Sequence, residues 1–310
     1  MRLAYPIDPM LARTAPAPFD SPQHLFEVKW DGFRCLAYTG GALDTPGPLR
    51  LQSRNQRDIT ARYPGVASIW RQVRGAAVID GELVAFKDGR PDFQCLLRGN
   101  TPPVFLAFDL LWAEGVNFTG HPLEKRRERL ASLIEPGGPL ILSEVVPEKG
   151  RSFFRAVAER GLEGIMAKEL GSPYRPGQRS QYWLKVRNVR RLNAVIGGVS
   201  SRDGIHISSL HLGLYQGPDL VWVGRVGSGL GQREDAALRQ ILAYQERSPF
   251  VNPVSRDEKT VIWVRPERVC RVEYLEFTRD RVLRHPVFRG IVGLDPEACT
   301  YSQIPVEDDR

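Results

Sequence analysis

Few cysteines and no long hydrophobic run characterise this sequence of 310 residues. Its four cysteines lie far apart with no C-x-x-C spacing, which argues against a structural zinc site and is typical of a reducing cytoplasm. No stretch is apolar and long enough to indicate a transmembrane or signal segment. We therefore expect a cytoplasmic protein with no membrane contact.

Positive charge is what the chain has in surplus. Lys and Arg number 43 against 36 Asp and Glu, a formal net charge of +7. This balance favours a polyanionic partner such as nucleic acid, although modestly basic proteins with other functions are common. The length predicts two domains, and the composition of 42% hydrophobic and 25% charged residues is that of a globular protein.

The segment EVKWDGFR (27–34) places an isolated lysine at the end of an alternating apolar run. A strand that delivers Lys29 and then turns at Asp31 and Gly32 puts an amine at the mouth of a pocket, with Asp31 on the same side of the pleat. A lysine attacks only as the free amine, which requires desolvation or neighbouring cations. The same string also occurs as an ordinary strand ending in a turn, so its interpretation depends on the motifs that follow.

Two polar strings follow predicted strands or interrupt them. Arg54, in the triplet SRN, stands just past a strand, where an arginine can hold a phosphate or a ribose or simply lie in a surface turn. The apolar run 76–86 contains Asp80 and Glu82 around a glycine. Carboxylates inside a strand are costly unless they meet a cation, which favours a catalytic or metal-binding role over an exposed hairpin.

A second group of charges lies between positions 163 and 187. Glu163 and Lys168 stand at the ends of a short predicted strand, and Lys185 and Arg187 alternate on one face of another. Arg179 lies six positions before Lys185. A solvated strand edge explains one such face, but three cations with a recurring acid–glycine pattern favour a polyphosphate and its divalent metal.

Other segments predict the scaffold. The run 104–112 (VFLAFDLLW) predicts a strand inside a sheet, in which Phe105 or Phe108 either stacks on a base or fills the core. Helices are predicted over 58–74, 121–134 and 152–160, and the basic run 125–129 of the second is interpreted as a solvated face. Residues 1–23 predict an arm with no regular period.

From residue 192 the pattern changes to short strands. They are predicted over 193–199, 206–215, 220–226, 260–264 and 269–277, with one helix over 233–245. Five strands with glycine-rich turns predict a small barrel of the OB type, a common nucleic-acid platform. The predicted domains are therefore 1–188 and 189–310.

The strings KWDGFR, SRN, IDGEL, FLAFDLL, EGIMAK and WLKVR, in this order, resemble those of ATP-dependent DNA ligases of the nucleotidyltransferase superfamily. GRVGSGL, VEYLEFT and LRHPVFRG in the second half resemble the ligase module of bacterial ligase D, the end-joining enzyme that works with Ku. The resemblance implies an α+β fold, with a nucleotidyltransferase (adenylation) domain followed by an OB-fold barrel. It also implies sealing of 5′-phosphate/3′-hydroxyl breaks through lysyl-AMP and DNA-adenylate, in double-strand-break repair by non-homologous end joining.

The resemblance implies roles for single residues. Lys29 would attack the α-phosphate of ATP, Glu27 would read the adenine amino group, and Phe108 or Phe105 would stack on the base. The ribose or the nick phosphate would be held by Arg34 and Arg54. Four cations would surround the α-phosphate and the 5′-phosphate: Lys168, Lys185, Arg179 and Arg187. Mg²⁺ or Mn²⁺ would be bound by three carboxylates: Asp31, Glu82 (also at the ribose) and Glu163.

Two departures from the family pattern stand out. Arg187 occupies a position where the family often has a second lysine, which keeps the charge but changes its geometry. The family's final motif, of the form R-x-D-K, is replaced by Val292-Gly293-Leu294-Asp295. This replacement predicts slow self-adenylation, unless Arg284 or Arg289 substitutes for the missing arginine.

The resemblance also implies partners and a location. Nicked or broken double-stranded DNA would be the substrate, with Ku and a separate repair polymerase as candidate partners, and we expect a monomer at the bacterial nucleoid. An RNA ligase or capping-type nucleotidyltransferase is one alternative. A non-catalytic DNA-binding relative with the same fold is another, and net charge does not separate the three because all would bind nucleic acid.

Overall fold

The computed structural model describes residues 3–201, 203–254, 261–278 and 280–304. The chain divides into two compact units, one from Met1 to Asn188 and one from Val189 to Arg310. None of the helices in the described part of the chain is long and apolar enough to cross a membrane.

The described residues of the first unit form thirteen strands and three α-helices. The strands are β1 (Leu11–Thr14), β2 (Ser21–Val28), β3 (Phe33–Thr39), β4 (Leu49–Ser53), β5 (Ala77–Val84), β6 (Phe86–Lys87), β7 (Arg90–Pro91), β8 (Val104–Ala113), β9 (Val116–Asn117), β10 (Leu140–Leu142), β11 (Val146–Glu148), β12 (Gly164–Glu169) and β13 (Arg179–Arg187). The helices are α1 (Phe93–Arg98), α2 (Leu123–Leu133) and α3 (Gly150–Glu159).

Two sheets form the body of this unit. The first has the strand order β1-β13-β12-β2-β11, with β1 parallel to β13 and the other neighbours antiparallel. The second has the order β10-β8-β5-β3-β4, with β9 paired to β8. Because side chains alternate along a strand, each face of the second sheet carries its own set of apolar residues. Both faces are covered, as the nearly continuous apolar run of β8 predicts.

Three apolar clusters hold the first unit together. One lies between the sheets and includes Tyr38, Phe108 and Trp183. A second, on the outer face of the second sheet, includes Phe105 and the apolar side of α2. A third packs α3 against the first sheet around Phe26. The resulting layers are α3, first sheet, second sheet and α2.

The predicted helix over 58–74 is wrong. The structure has three short 3₁₀ turns there, Thr60–Arg62, Pro64–Val66 and Ile69–Gln72. A proline followed by a glycine at 64 and 65 disfavours a continuous helix, because proline lacks an N–H and glycine loses the most backbone entropy. Val66 and Ile69, which lie in these turns, are fully buried.

In its described residues, the second unit is a curled sheet with one α-helix. Its strands are β14 (Arg190–Ser201), β15 (Ile207–Gln216), β16 (Asp219–Val226), β17 (Tyr244–Gln245), β18 (Val261–Tyr274) and β19 (Val287–Val292), and its helix is α4 (Gln232–Ile241). The order is β16-β15-β14-β18-β17, with β19 paired to β18. The apolar cluster that the described residues of this sheet bury includes Leu212, Val223 and Val272.

The two last predicted strands of this unit are one long strand, β18. Its ladder with β14 breaks between Ile196 and Gly198, which pair with Arg268 and Trp263 respectively. This irregularity lies at the gap that the sequence predicted between two strands. A β-bulge interrupts the alternation of apolar and polar residues, and so does the end of a strand, so the two look alike in the sequence. Thr260, the first residue of the predicted strand 260–264, lies outside the described residues.

Candidate active site

Lys29 directly follows β2, and both its backbone and its side chain are held by neighbouring groups. Its backbone N–H donates to the Gly164 carbonyl at 2.8 Å, and its ammonium group pairs with the Glu163 carboxylate. The chain then turns at Gly32, where an added Cβ would lie 2.1 Å from the Leu83 carbonyl oxygen. Only glycine can lie this close to the Leu83 carbonyl, so the glycine of the Asp-Gly pair has a steric reason.

The register of the first sheet brings the predicted cations to one face. Met166 on β12 lies opposite both Glu27 on β2 and Lys185 on β13. Residues directly opposite in an antiparallel pair share a face, as do residues two apart on one strand. Lys168 and Arg187 therefore lie on the same face as Lys185.

The proximity of these cations affects Lys185. Burial lowers the pKa of Lys185, and Arg187, Lys29 and Arg179 lower it further by charge repulsion. Arg179 is exposed and donates to the Ala12 carbonyl of β1 at 2.7 Å. Lys185, Arg187 and Arg179 thus form with Lys29 a concentration of positive charge that is suited to a polyphosphate.

Glu27 is buried between two cations. Its Oε2 accepts a hydrogen bond from Lys168 Nζ at 2.9 Å, and its Oε1 accepts one from Arg127 Nη1 at 2.9 Å. Burial lowers the pKa of Lys168, against the effect of Glu27, which raises it. Lys168 and Arg127 are thus the two partners of Glu27 in this structure.

The basic run of α2 is a solvated face only in part, since Lys125 is exposed but Arg126 and Arg127 are not. Arg126 is fully buried and pairs with Asp109 through two hydrogen bonds of 2.7 and 2.8 Å. Arg127 next to it binds Glu27. The spacing of Leu123, Arg126 and Leu130 on one side of the helix is the signal that could have placed Arg126 among the buried residues.

Only one of the two predicted aromatic residues faces this cluster. Phe108 lies 4.0 Å from Lys168 Nζ and 5.6 Å from Arg34 Cζ, measured from its ring centroid. Phe105 packs into the outer core beneath Gly81, where an added Cβ would lie 2.4 Å from the Phe105 ring. The structure therefore retains Phe108 as the base-stacking candidate and places Phe105 on the other face of the sheet, in the core.

Arg34 is held by a buried carboxylate that sequence reasoning did not pair with it. Its Nε and Nη2 donate to Asp80 at 3.0 and 2.7 Å, and Tyr174 donates its hydroxyl proton to the same carboxylate at 2.7 Å. The Arg34 guanidinium also lies 5.2 Å from the Trp183 ring centroid. No local signal links Tyr174 to this site, because it lies 140 residues from Arg34.

Two of the three predicted metal ligands lie near one another. Burial raises the pKa of Glu82 to about 8, with Asp80 and Glu163 adding to the rise and Lys29 and Arg34 opposing it. Among the residues that the structure describes, no three His, Cys, Asp or Glu side chains converge as a metal site. Asp31, Glu82 and Glu163 therefore do not form the three-carboxylate set that was predicted.

The sequence also singled out Arg54 and the segment in place of the family's final motif. Arg54 is exposed in the turn after β4, and no hydrogen bond or ion pair of the described residues ties it to Lys29. The segment in place of the final motif starts at Val292, which ends β19 and packs partly on the barrel core. Asp295 caps a short 3₁₀ turn by accepting from the Glu297 N–H at 3.1 Å. Arg289 pairs with Glu273 in its own unit.

Comparison with known proteins identifies the family. The family described as "ATP dependent DNA ligase domain" matches residues 9–187, and "ATP dependent DNA ligase C terminal region" matches residues 203–292. The chain belongs to the ATP-dependent DNA ligases. The predicted family is thereby confirmed.

Individual relatives within this family point the same way. The chain is 36% identical over 294 residues to the multifunctional non-homologous end joining DNA repair protein LigD of Mycobacterium tuberculosis, covering 91% of this chain and 38% of that protein. This chain therefore spans well under half of that relative's length. DNA ligase C of the same organism is 29% identical, covering 96% of this chain and 94% of that one.

Solved structures confirm the predicted fold class. The ligase domain of M. tuberculosis LigD superposes with a TM-score of 0.55 at 32% identity, covering 95% of this chain and 98% of that one. A Lig E DNA ligase, at 17% identity and a TM-score of 0.63, shares the fold. The α+β architecture with a nucleotidyltransferase unit and an OB-fold unit is thus that of the ligase family.

Proposed function

We propose that this protein seals breaks between a 5′-phosphate and a 3′-hydroxyl in double-stranded DNA through a covalent lysyl-AMP on Lys29. The observation that carries the proposal is the setting of Lys29, an amine in contact with Glu163 and close to the cation Lys185. Phosphoryl transfer needs positioned groups and neutralised charge more than covalent help from the protein. This site supplies both.

The chemistry comprises three transfers. Lys29 Nζ, after losing a proton, attacks the α-phosphorus of ATP, so that a P–N bond forms and pyrophosphate leaves. An oxygen of the DNA 5′-phosphate then attacks the same phosphorus, which breaks the P–N bond and yields DNA-adenylate. Finally the 3′-hydroxyl attacks the 5′-phosphorus, the proton leaves, the phosphodiester forms and AMP departs.

The residues around Glu27 fit ATP. Glu27 accepts hydrogen bonds, as recognition of an amino group requires, and Phe108 offers an aromatic ring beside it. Trp183 Nε1 and Ser143 Oγ are buried and have no hydrogen-bond partner in the described part of the chain. Buried polar atoms of this kind are normally satisfied by a ligand or water. We assign Arg34 to the ribose or the nick phosphate, and the phosphates to Lys185, Arg187 and Arg179.

Glu163 and Glu82 fit a divalent cation together with substrate phosphates. Mg²⁺ commonly binds one or two carboxylates and keeps its other positions for water and phosphate. The raised pKa of Glu82 indicates a carboxyl that is costly to ionise without a nearby cation. Bound there, Mg²⁺ or Mn²⁺ would neutralise phosphate charge. Glu163, released from its ion pair with Lys29, would free the amine for deprotonation.

We further propose a role in double-strand-break repair by end joining, with nicked or broken DNA as substrate and Ku and a separate polymerase as partners. The LigD relatives are named for non-homologous end joining, and this supports the role. The altered segment from Val292 to Asp295 supports a slow first step, since none of its residues is cationic. The enzyme would then seal an already adenylated nick faster than it forms its own lysyl-AMP from ATP.

The test combines labelled ATP with two DNA substrates. Incubation with ATP and Mg²⁺ or Mn²⁺ should add one AMP by intact mass, and Lys29→Ala should abolish the adduct while the exposed Lys87→Ala keeps it. Lys29→Ala should still seal a nick that is already 5′-adenylated, because that step forms no bond to the lysine. A protein with neither adduct nor sealing would contradict the proposal, and labelling by GTP in place of ATP would favour a capping-type enzyme.

A further inference from the structure

The Arg127 guanidinium joins three separate segments of the first unit. Its Nη1 donates to Glu27 Oε1 at 2.9 Å and to the Phe108 carbonyl at 3.0 Å, and its Nη2 donates to the Ser143 carbonyl at 2.7 Å. The side chain is only 10% exposed. One residue of α2 therefore connects Glu27 on the first sheet with the backbone of Phe108 on the second.

This arrangement fixes the direction in which Glu27 presents its oxygens. Each carboxylate oxygen is held by a different cation, one by Lys168 and one by Arg127. A planar guanidinium with several donors sets the orientation of a carboxylate, whereas an ammonium group acts as a rotatable point charge. Arg127, whose guanidinium is also held by two backbone carbonyls, therefore fixes the rotation of the Glu27 carboxylate together with Lys168.

We propose that Arg127 is a positioning residue that sets the nucleobase selectivity of this site, by holding the Glu27 carboxylate for the 6-amino group of adenine. The inference rests on the proposed function and extends it from Glu27, which would bind the base, to Arg127, which orients Glu27. An ionised carboxylate only accepts hydrogen bonds, so it pairs with an amino group and repels the 6-carbonyl oxygen of guanine. If the Glu27 carboxylate is no longer oriented by Arg127, we expect the protein to lose the free energy of its hydrogen bond to the adenine amino group.

Anchoring of the helix does not require Arg127. Its neighbour Arg126 already ties α2 to Asp109, and it also donates to the Ser172 carbonyl at 2.7 Å. Leu123, Leu130 and Leu133 are buried on the same helix. A change at Arg127 should therefore leave α2 in place and act on Glu27 and on the two carbonyls it binds.

The experiment compares two nucleotides that differ by one group. ATP and purine riboside triphosphate, which lacks the 6-amino group, are used to form the lysine adduct, and the second-order rate is measured for each by intact mass. In Arg127→Met the rate with ATP should fall about tenfold to a hundredfold, the size of a hydrogen bond to a charged group. The rate with the analogue should stay within about twofold. Arg127→Lys should recover part of the loss, and Arg129→Met, an exposed change on the same helix, should change neither rate.

The outcomes distinguish a positioning role of Arg127 from a general structural role. A loss confined to ATP supports the proposal, because a general structural defect would slow both nucleotides alike. Equal losses with both nucleotides, or a wild-type protein that does not prefer ATP over the analogue, would overturn it. If the wild-type protein forms no adduct with either nucleotide, the proposed function itself fails before the variants are compared.

Discussion

Arg34 and Asp80 form a two-bonded ion pair in which the carboxylate has no exposed surface and the arginine only 18%. Burial alone lowers the pKa of Arg34, but the charge of Asp80 reverses this effect and raises it above the ordinary value. The guanidinium lies beside the Phe108 and Trp183 rings, so its position follows from packing on one side and from Asp80 on the other. Arg34 is thus held in place by groups of the protein itself.

We expect Asp80→Asn to slow nick sealing by about tenfold or more, because the neutral amide removes the counter-charge and one acceptor from Arg34. Single-turnover sealing of a nicked duplex measures this. Glu135→Gln, which removes the exposed partner of Arg74, is the matched control and should leave sealing unchanged. Full activity in Asp80→Asn would show that Arg34 does not depend on its partner.

The Arg126–Asp109 pair gives a prediction about stability. Arg126→Met should destabilise the protein by about 3–5 kcal/mol, because it leaves the Asp109 carboxylate buried without its cation. The double variant Arg126→Met, Asp109→Leu should recover much of that loss, since no unpaired charge remains. Thermal unfolding of the full chain tests both, with Arg129→Met as an exposed control. A double variant less stable than the single one would contradict this account.

Local pattern predicted the strands that position the site. Alternation placed Lys185 and Arg187 on one face of β13, and the register confirms a shared face. The apolar run of β8 predicted a strand buried in a sheet, and it is one. These features depend only on the two-residue period of a strand, which a sequence displays directly.

The contacts that orient the site could not be predicted in this way. Arg127 and Glu27 lie 100 residues apart, and Tyr174 lies 94 residues from Asp80. Which cation meets which carboxylate depends on how the two sheets and α2 pack, and a charged residue on a helix looks solvated until that packing is known. The same limit explains why Phe105 and Phe108 remained alternatives from the sequence.

The turn after Lys29 gives a third prediction. Gly32→Ala should lower the rate of lysyl-AMP formation by about tenfold or more, because its Cβ would lie 2.1 Å from the Leu83 carbonyl and the turn would have to move. Gly120→Ala is the control, since an added Cβ there meets nothing within 4 Å. Adduct formation followed by intact mass separates the two variants. Equal rates for both would mean that the turn does not position Lys29.

Lys185 predicts how nucleotide binding changes with pH. Because its pKa is lowered in the folded protein, Lys185 loses its charge at a lower pH than an ordinary lysine does. If that charge binds phosphate, ATP affinity should be full at neutral pH and fall as the pH rises through the lowered pKa. Binding is measured in a Lys29→Arg background, which prevents adduct formation and keeps the positive charge next to Lys185. Lys185→Arg stays charged, so the alkaline fall should move to higher pH, whereas Lys125→Arg, an exposed change, should not move it. An unchanged profile in Lys185→Arg would assign the fall to another group and remove Lys185 from the phosphate site.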